Sequence, residues 1–150
     1  MPLLSTHDID PALIDLADYP MPLYHGDEEA EHGQPAAAVA LHDRLAEIDG
    51  LILVSPEYNG GPSALLKNAI DWVTRVDRTV FKPLLIGLAA ASPGQRGGLG
   101  GLAVMRSIVQ HLRLDIDMVS AGLVGQTRGK LKVNAGDLGG PSAGGYDFWL

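Results

Sequence analysis

Cysteine is absent from all 150 residues. Disulfides, zinc–thiolate sites, iron–sulfur clusters and thiol nucleophiles are therefore excluded, and any redox chemistry needs a borrowed cofactor. No apolar run approaches the roughly 18 residues of a membrane span. The opening stretch, Met1–Asp10, has neither the basic segment nor the apolar core of a secretory leader, so a soluble cytoplasmic protein is expected. Positive charge is scarce as well. Eleven Lys and Arg face 18 Asp and Glu, a net charge of −7 that repels phosphate backbones and anionic lipid, so neither nucleic acid nor a membrane is an expected partner. Catalytic signatures are also lacking: there is no G-x-S-x-G elbow and no P-loop. The histidines, His7, His25, His32, His42 and His111, form no H-x-x-x-H pair and no zinc spacing, so no metal is expected. No acid–base dyad is evident, and no catalytic side chain is assigned.

Two continuous apolar runs are present, Leu51–Val54 between Gly50 and Pro56, and Leu84–Ala91 between Pro83 and Pro93. Runs without polar alternation are typical of strands covered on both faces in parallel sheets. Helical spacing surrounds them. Pro35 stands where a first-turn proline belongs, followed by Ala38, Leu41, Leu45 and Ile48. Leu65, Leu66, Ala69, Ile70 and Val73 form a second apolar face, opposite Lys67, Asp71 and Arg75. Leu102, Met105, Val109 and Leu112 form a third. Ala12–Leu16 reads as an earlier strand, and Ile116, Met118 and Val119 as a later one. Strands alternating with helices of this length predict an α/β fold with a parallel sheet. Residues 1–133 are read as its single domain. Residues 134–150, rich in Gly, Pro and Ser up to Tyr146, are read as a tail of loop or disorder.

Two segments have the position and composition of a ligand site. Ser55-Pro56-Glu57-Tyr58-Asn59-Gly60-Gly61-Pro62 follows the first buried run and precedes a helix, and open α/β sheets bind ligands outside the carboxyl ends of their strands. Its glycines permit close backbone approach to a flat ligand, Tyr58 offers an apolar face, and Asn59 offers both donor and acceptor. The same residues also fit a plain tight turn with Glu57 solvated. Ser92-Pro93-Gly94-Gln95-Arg96-Gly97-Gly98, with Gly100 and Gly101, follows the second run and could line the same crevice, or be a structural loop. Gly98-x-Gly100-x-x-Ala103 spells a dinucleotide fingerprint with Asp117 downstream, but it does not follow its strand directly and too little chain remains for such a domain.

Ser55 to Trp72, SPEYNGGPSALLKNAIDW, resembles the signature of the NADPH-dependent FMN reductases, a flavodoxin-like family of quinone, azo and chromate reductases. Ser92–Gly98 is similar to that family's second flavin loop, and Ile14–Ala17 with Pro20 and Pro22-Leu23-Tyr24 to its second strand and following loop. The resemblance spans about residues 10 to 120 and implies a three-layer flavodoxin-like parallel sheet. It also implies an FMN-dependent oxidoreductase, in which NADPH or NADH reduces the flavin and the flavin reduces a quinone, azo compound, metal oxyanion or free flavin. Pro56, Glu57, Tyr58, Asn59 and Gly60 would line the ring on one side, mostly through backbone atoms. Ser92, Pro93, Gly94, Arg96, Gly97 and Gly98 would close the other. A homodimer or homotetramer is implied, with the Leu65–Arg75 helix in its interface.

The sequence departs from the family in two places. Pro62 sits one position earlier than the family's proline, with Ser63 in that slot. The family's first strand, with its Ser/Arg/Asn phosphate loop, has no counterpart before Ala12, so the expected fold is incomplete, lacking its first strand and last helix. A non-catalytic remnant serving as an interaction or oligomerisation module is the alternative function. Charge-assisted phosphate contacts are worth about 1.5–3 kcal/mol each, and riboflavin has no phosphate to lose. Fluorescence titration of the 150-residue chain is expected to show little preference for FMN over riboflavin. Strongly FMN-selective binding would mean that other residues hold the phosphate.

Overall fold

The computed structural model describes residues 10–112, together with the strand segments 122–123, 131–133 and 146–148. Among the described residues four α-helices and five strands follow in chain order: α1 (Gly26–His32), α2 (Ala36–Ala46), β1 (Gly50–Pro56), α3 (Ala64–Val76), β2 (Leu85–Ala91), α4 (Leu99–Leu112), β3 (Gly122–Leu123), β4 (Leu131–Val133) and β5 (Tyr146–Phe148).

The helices form where their apolar positions repeat. Pro35 caps α2, which buries Ala38, Leu41 and Leu45. Ser63 starts α3 by accepting the Leu66 amide on its hydroxyl at 3.2 Å, and the helix buries Leu66, Ala69, Ile70, Trp72 and Val73. Leu65 is half exposed rather than part of that face. On the outer side the Lys67 ammonium holds both Asp71 oxygens at 2.7 Å. Met105, Val109 and Leu112 of α4 are buried with Gly101. The acidic helix α1 buries nothing and is started by His25 Nδ1, which accepts the Asp27 amide at 3.2 Å. With no apolar stripe, it gave no periodic signal.

β1 pairs with β2 in parallel, in register from Gly50↔Leu85 to Pro56↔Ala91, as the two apolar runs predicted. β3 adds in parallel at Ala89↔Gly122 and Ala90↔Leu123, giving the order β1-β2-β3. Paired residues in a parallel ladder share a face. One face carries Leu51, Leu53, Ile86, Leu88 and Ala90, joined in a single core with residues of α2, α3 and α4. The other carries Ile52 and Val54, 51% and 42% exposed, and Leu85, 62% exposed. The expectation that both runs are covered on both faces is thus corrected: the described helices pack on one face only. Unbroken apolar sequence set the strand identity but not the coverage.

The expected strand at Ala12–Leu16 is not formed. Asp15 Oδ1 instead accepts the Ala17 amide at 2.9 Å and starts a 3-10 turn, Leu16–Asp18. A local side-chain cap has displaced a ladder for which no neighbouring strand is described. Ile14, Leu16 and Tyr19 still pack against the core. The following loop is tied to α3. Trp72 Nε1 and Asn68 Nδ2 both donate to the Pro22 carbonyl, at 2.7 and 2.9 Å, and the Tyr24 amide donates to Asn68 Oδ1 at 2.8 Å. Trp72 is 1% exposed, meets Tyr24 edge to face at 5.0 Å, and belongs to the interior. The expected strand at Ile116–Val119 and the N-terminal residues up to Ile9 lie outside the described residues. In the segment read as a tail, Tyr146–Phe148 pairs antiparallel with Leu131–Val133.

The one-sided core is tested by two truncations. Leu88→Ala should cost about 2–5 kcal/mol and Ile52→Ala less than about 1 kcal/mol, read from urea unfolding. Equal losses would mean that the second face is covered too.

Candidate functional site

Because β1 and β2 run parallel, the loops after them leave the same end of the sheet. Their junction is fixed by backbone: the Glu57 amide donates to the Ala91 carbonyl at 2.7 Å, one step beyond the last strand pair. Ser55, 1% exposed, closes the first loop from inside. Its hydroxyl accepts the Ser63 amide at 2.9 Å and donates to the Pro56 carbonyl at 2.9 Å, holding the loop's two ends together. Nothing in the sequence marked Ser55 for this, since the bond spans eight residues of irregular chain.

At the loop's tip Tyr58 and Gly61 exchange two backbone hydrogen bonds, at 2.9 and 3.0 Å, around Asn59 and Gly60, with φ of 51° and 81°. Two central residues at positive φ make a type I′ turn, for which Asn-Gly is the favoured pair. So the tight turn is there, and it lifts Tyr58, Asn59 and Gly60 into solvent, Tyr58 at 62% exposure. The Asn59 side chain has no hydrogen-bond partner among the described residues, and a Cβ on Gly60 would meet nothing within 4 Å. An unspent amide beside open backbone suits the polar edge of a flat ring.

The second loop folds beneath. Ser92 Oγ accepts the Gly94 amide at 3.2 Å, and Pro93, Gly94, Gln95 and Arg96 are exposed. Gly97 and Gly98 turn inward at φ 54° and 92°. A Cβ on Gly98 would stand 2.7 Å from the Ala90 carbonyl carbon and oxygen and 2.9 Å from the Ala91 amide. Only glycine fits there on both counts. Gly98 also accepts the Leu102 amide at 2.9 Å, the first bond of α4.

Glu57 joins the two loops. Its Oε2 accepts the Gly101 amide at 2.8 Å in the first turn of α4, so the solvated reading of this carboxylate does not hold. The structure thus brings Pro56–Gly60 to the start of α4, with Gly98 beneath, and leaves Arg96 on the exterior. Among the described residues no three His, Asp or Glu side chains gather as a metal group.

The sequence model of the family described as NADPH-dependent FMN reductase matches residues 2–124. A quinone reductase of Escherichia coli is 43% identical over 103 residues, covering 67% of this chain and 53% of the relative. A 2-hydroxy-1,4-benzoquinone reductase from Burkholderia is 42% identical over 100 residues, with 66% and 51% covered. The chain therefore spans about half the length of these relatives. Among solved structures, FerB, a flavoenzyme NAD(P)H:(acceptor) oxidoreductase from Paracoccus denitrificans, superposes with a TM-score of 0.62 at 27% identity, over 79% of this chain and 61% of that one.

Gly98→Ala is expected to cost about 3 kcal/mol or more, from a disallowed φ and a backbone clash. Gly26→Ala, in open space at the start of α1, should change stability by less than about 1 kcal/mol. Chemical unfolding of both variants makes the comparison.

Proposed function

The chain belongs to the NADPH-dependent FMN reductase family, and from that premise we propose that it is the flavin-holding portion of an FMN-dependent NAD(P)H oxidoreductase. NADPH or NADH is the electron donor and a small molecule the acceptor: a quinone first, with azo compounds, metal oxyanions and free flavin as the wider class. The observation that supports this is the meeting of two glycine loops at one end of a parallel sheet, with Tyr58 and Asn59 exposed at the tip of the first; the ring would sit in the crevice between these loops. Names of relatives narrow the acceptor: two quinone reductases match 67% and 66% of this chain.

FMN, when bound, supplies the two-electron chemistry that a chain without cysteine cannot supply itself. The protein's part is placement. Pro56, Tyr58, Asn59 and Gly60 hold one edge of the ring and Ser92, Pro93, Gly94, Arg96, Gly97 and Gly98 the other, with Asn59 as the side-chain contact; Glu57, whose carboxylate is bonded to the Gly101 amide, lies in the first loop without holding the ring through its side chain. The overall conversion balances as NAD(P)H, a proton and a quinone giving NAD(P)+ and a hydroquinone. Among the described residues no helix is long and apolar enough to cross a membrane. We place the protein in the cytoplasm as a homodimer or homotetramer, with α3 in the interface, where Leu65 is half exposed. Residues 1–133 are assigned to the reductase domain.

Purified protein saturated with FMN should oxidise NADPH or NADH in step with added benzoquinone, and Asn59→Ala should weaken flavin binding by about 1–3 kcal/mol. A chain that takes up no flavin would overturn this reading and favour a non-catalytic interaction module. An unchanged dissociation constant in Asn59→Ala would remove that side chain from the ring.

A further inference from the structure

Glu57 belongs to the first of two predicted flavin-lining loops, yet its carboxylate is bonded within the chain itself, to the start of α4. Oε2 accepts the Gly101 amide at 2.8 Å, while the residue's own amide is spent on the Ala91 carbonyl at 2.7 Å. One residue therefore grips both the end of β2 and the start of α4. The fit around it is close. A Cβ on Gly100 would lie 3.1 Å from the Gly60 carbonyl oxygen and 3.2 Å from Glu57 Oε2, and one on Gly101 would lie 3.2 Å from Glu57 Cβ. Two consecutive glycines begin a helix here, although each costs helix stability of about 1 kcal/mol relative to alanine. Their contacts fit them, because a Cβ at either position would press on the first loop at 3.1–3.4 Å and the loop would have to give by a few tenths of an ångström.

The first turn of a helix leaves amides unpaired and favours negative charge, so a carboxylate bonded there is held by a charge-assisted hydrogen bond and by the helix dipole. The tip residues Tyr58 and Asn59 are exposed, and among the described residues neither side chain bonds to the second loop or to α4. We propose that Glu57 is a positioning residue, not a ligand group: through the Gly101 amide it sets the spacing between the Pro56–Gly60 loop and the Ser92–Gly98 loop, and so the width of the crevice. That role rests on the flavin reading of the crevice given above.

Two readouts test it on the full chain, affinity for riboflavin and FMN by fluorescence quenching and hydrogen exchange at the Gly101 amide. Glu57→Ala should weaken both flavins by about tenfold or more and speed Gly101 exchange. Glu57→Gln keeps an acceptor oxygen in the same place and should restore both to within about threefold of the unaltered chain. Gly100→Ala, which leaves Glu57 intact and pushes the loops apart, should also weaken flavin binding. Should Glu57→Ala not fold, Glu57→Gln set against Gly100→Ala makes the same comparison. Flavin affinity lost with Gly101 exchange unchanged would overturn the proposal, since the carboxylate would then be touching the ligand. Faster exchange with unchanged affinity would overturn it as well, leaving only a structural cap. An unaltered chain that binds neither flavin would overturn the flavin reading itself and this role with it. Gly101 exchange in Glu57→Ala would still report whether the strut exists, which separates the two failures.

Discussion

The parallel pairing of β1 with β2 is the constraint from which the rest of the site follows. Seven register pairs, Gly50↔Leu85 through Pro56↔Ala91, force the two strands to end together. The Glu57–Ala91 backbone bond then extends the ladder into the loops. An antiparallel pair would place the loops at opposite ends of the sheet. Because the strands are parallel, a crossover must connect them, and α3 both returns the chain and shares one apolar core with Leu53 and Leu88. The core and the crevice are consequences of a single pairing, the core along its length and the crevice at its end.

What was legible in the sequence was whatever repeats locally. The apolar stripes of α2, α3 and α4 and the unbroken runs of β1 and β2 each gave an element of the right type, and the run SPEYNGGPSALLKNAIDW gave the family. What was not legible depends on partners. Ala12–Leu16 has the composition of a strand, but composition cannot supply a neighbour, and Asp15 made a local turn instead. α1 has no apolar face, so the periodicity that found the other helices had nothing to detect. Ser55 and Glu57 read as members of a ligand loop or of a plain turn with Glu57 solvated, not as the residues that fasten it. Their bonds to Ser63 and Gly101 span 8 and 44 residues, and only the folded chain brings those partners together.

The chemistry suited to the crevice follows from how its helix ends are satisfied. A helix N-terminus opening onto a glycine loop is ordinarily an anion site. Here both termini at this end of the sheet are engaged by the chain itself. The Ser63 hydroxyl accepts a first-turn amide of α3, and the Glu57 carboxylate accepts one of α4. The second of these brings a negative charge to the place where a phosphate would otherwise sit, in a chain whose net charge is already −7. Coulomb repulsion and the loss of free donors therefore act in the same direction, against an anionic group at the start of α4. What stays open among the described residues is the exposed Asn59 amide, a donor and acceptor without formal charge. A flat, neutral, hydrogen-bonding ring edge meets those terms, and the isoalloxazine of the proposed flavin has such an edge.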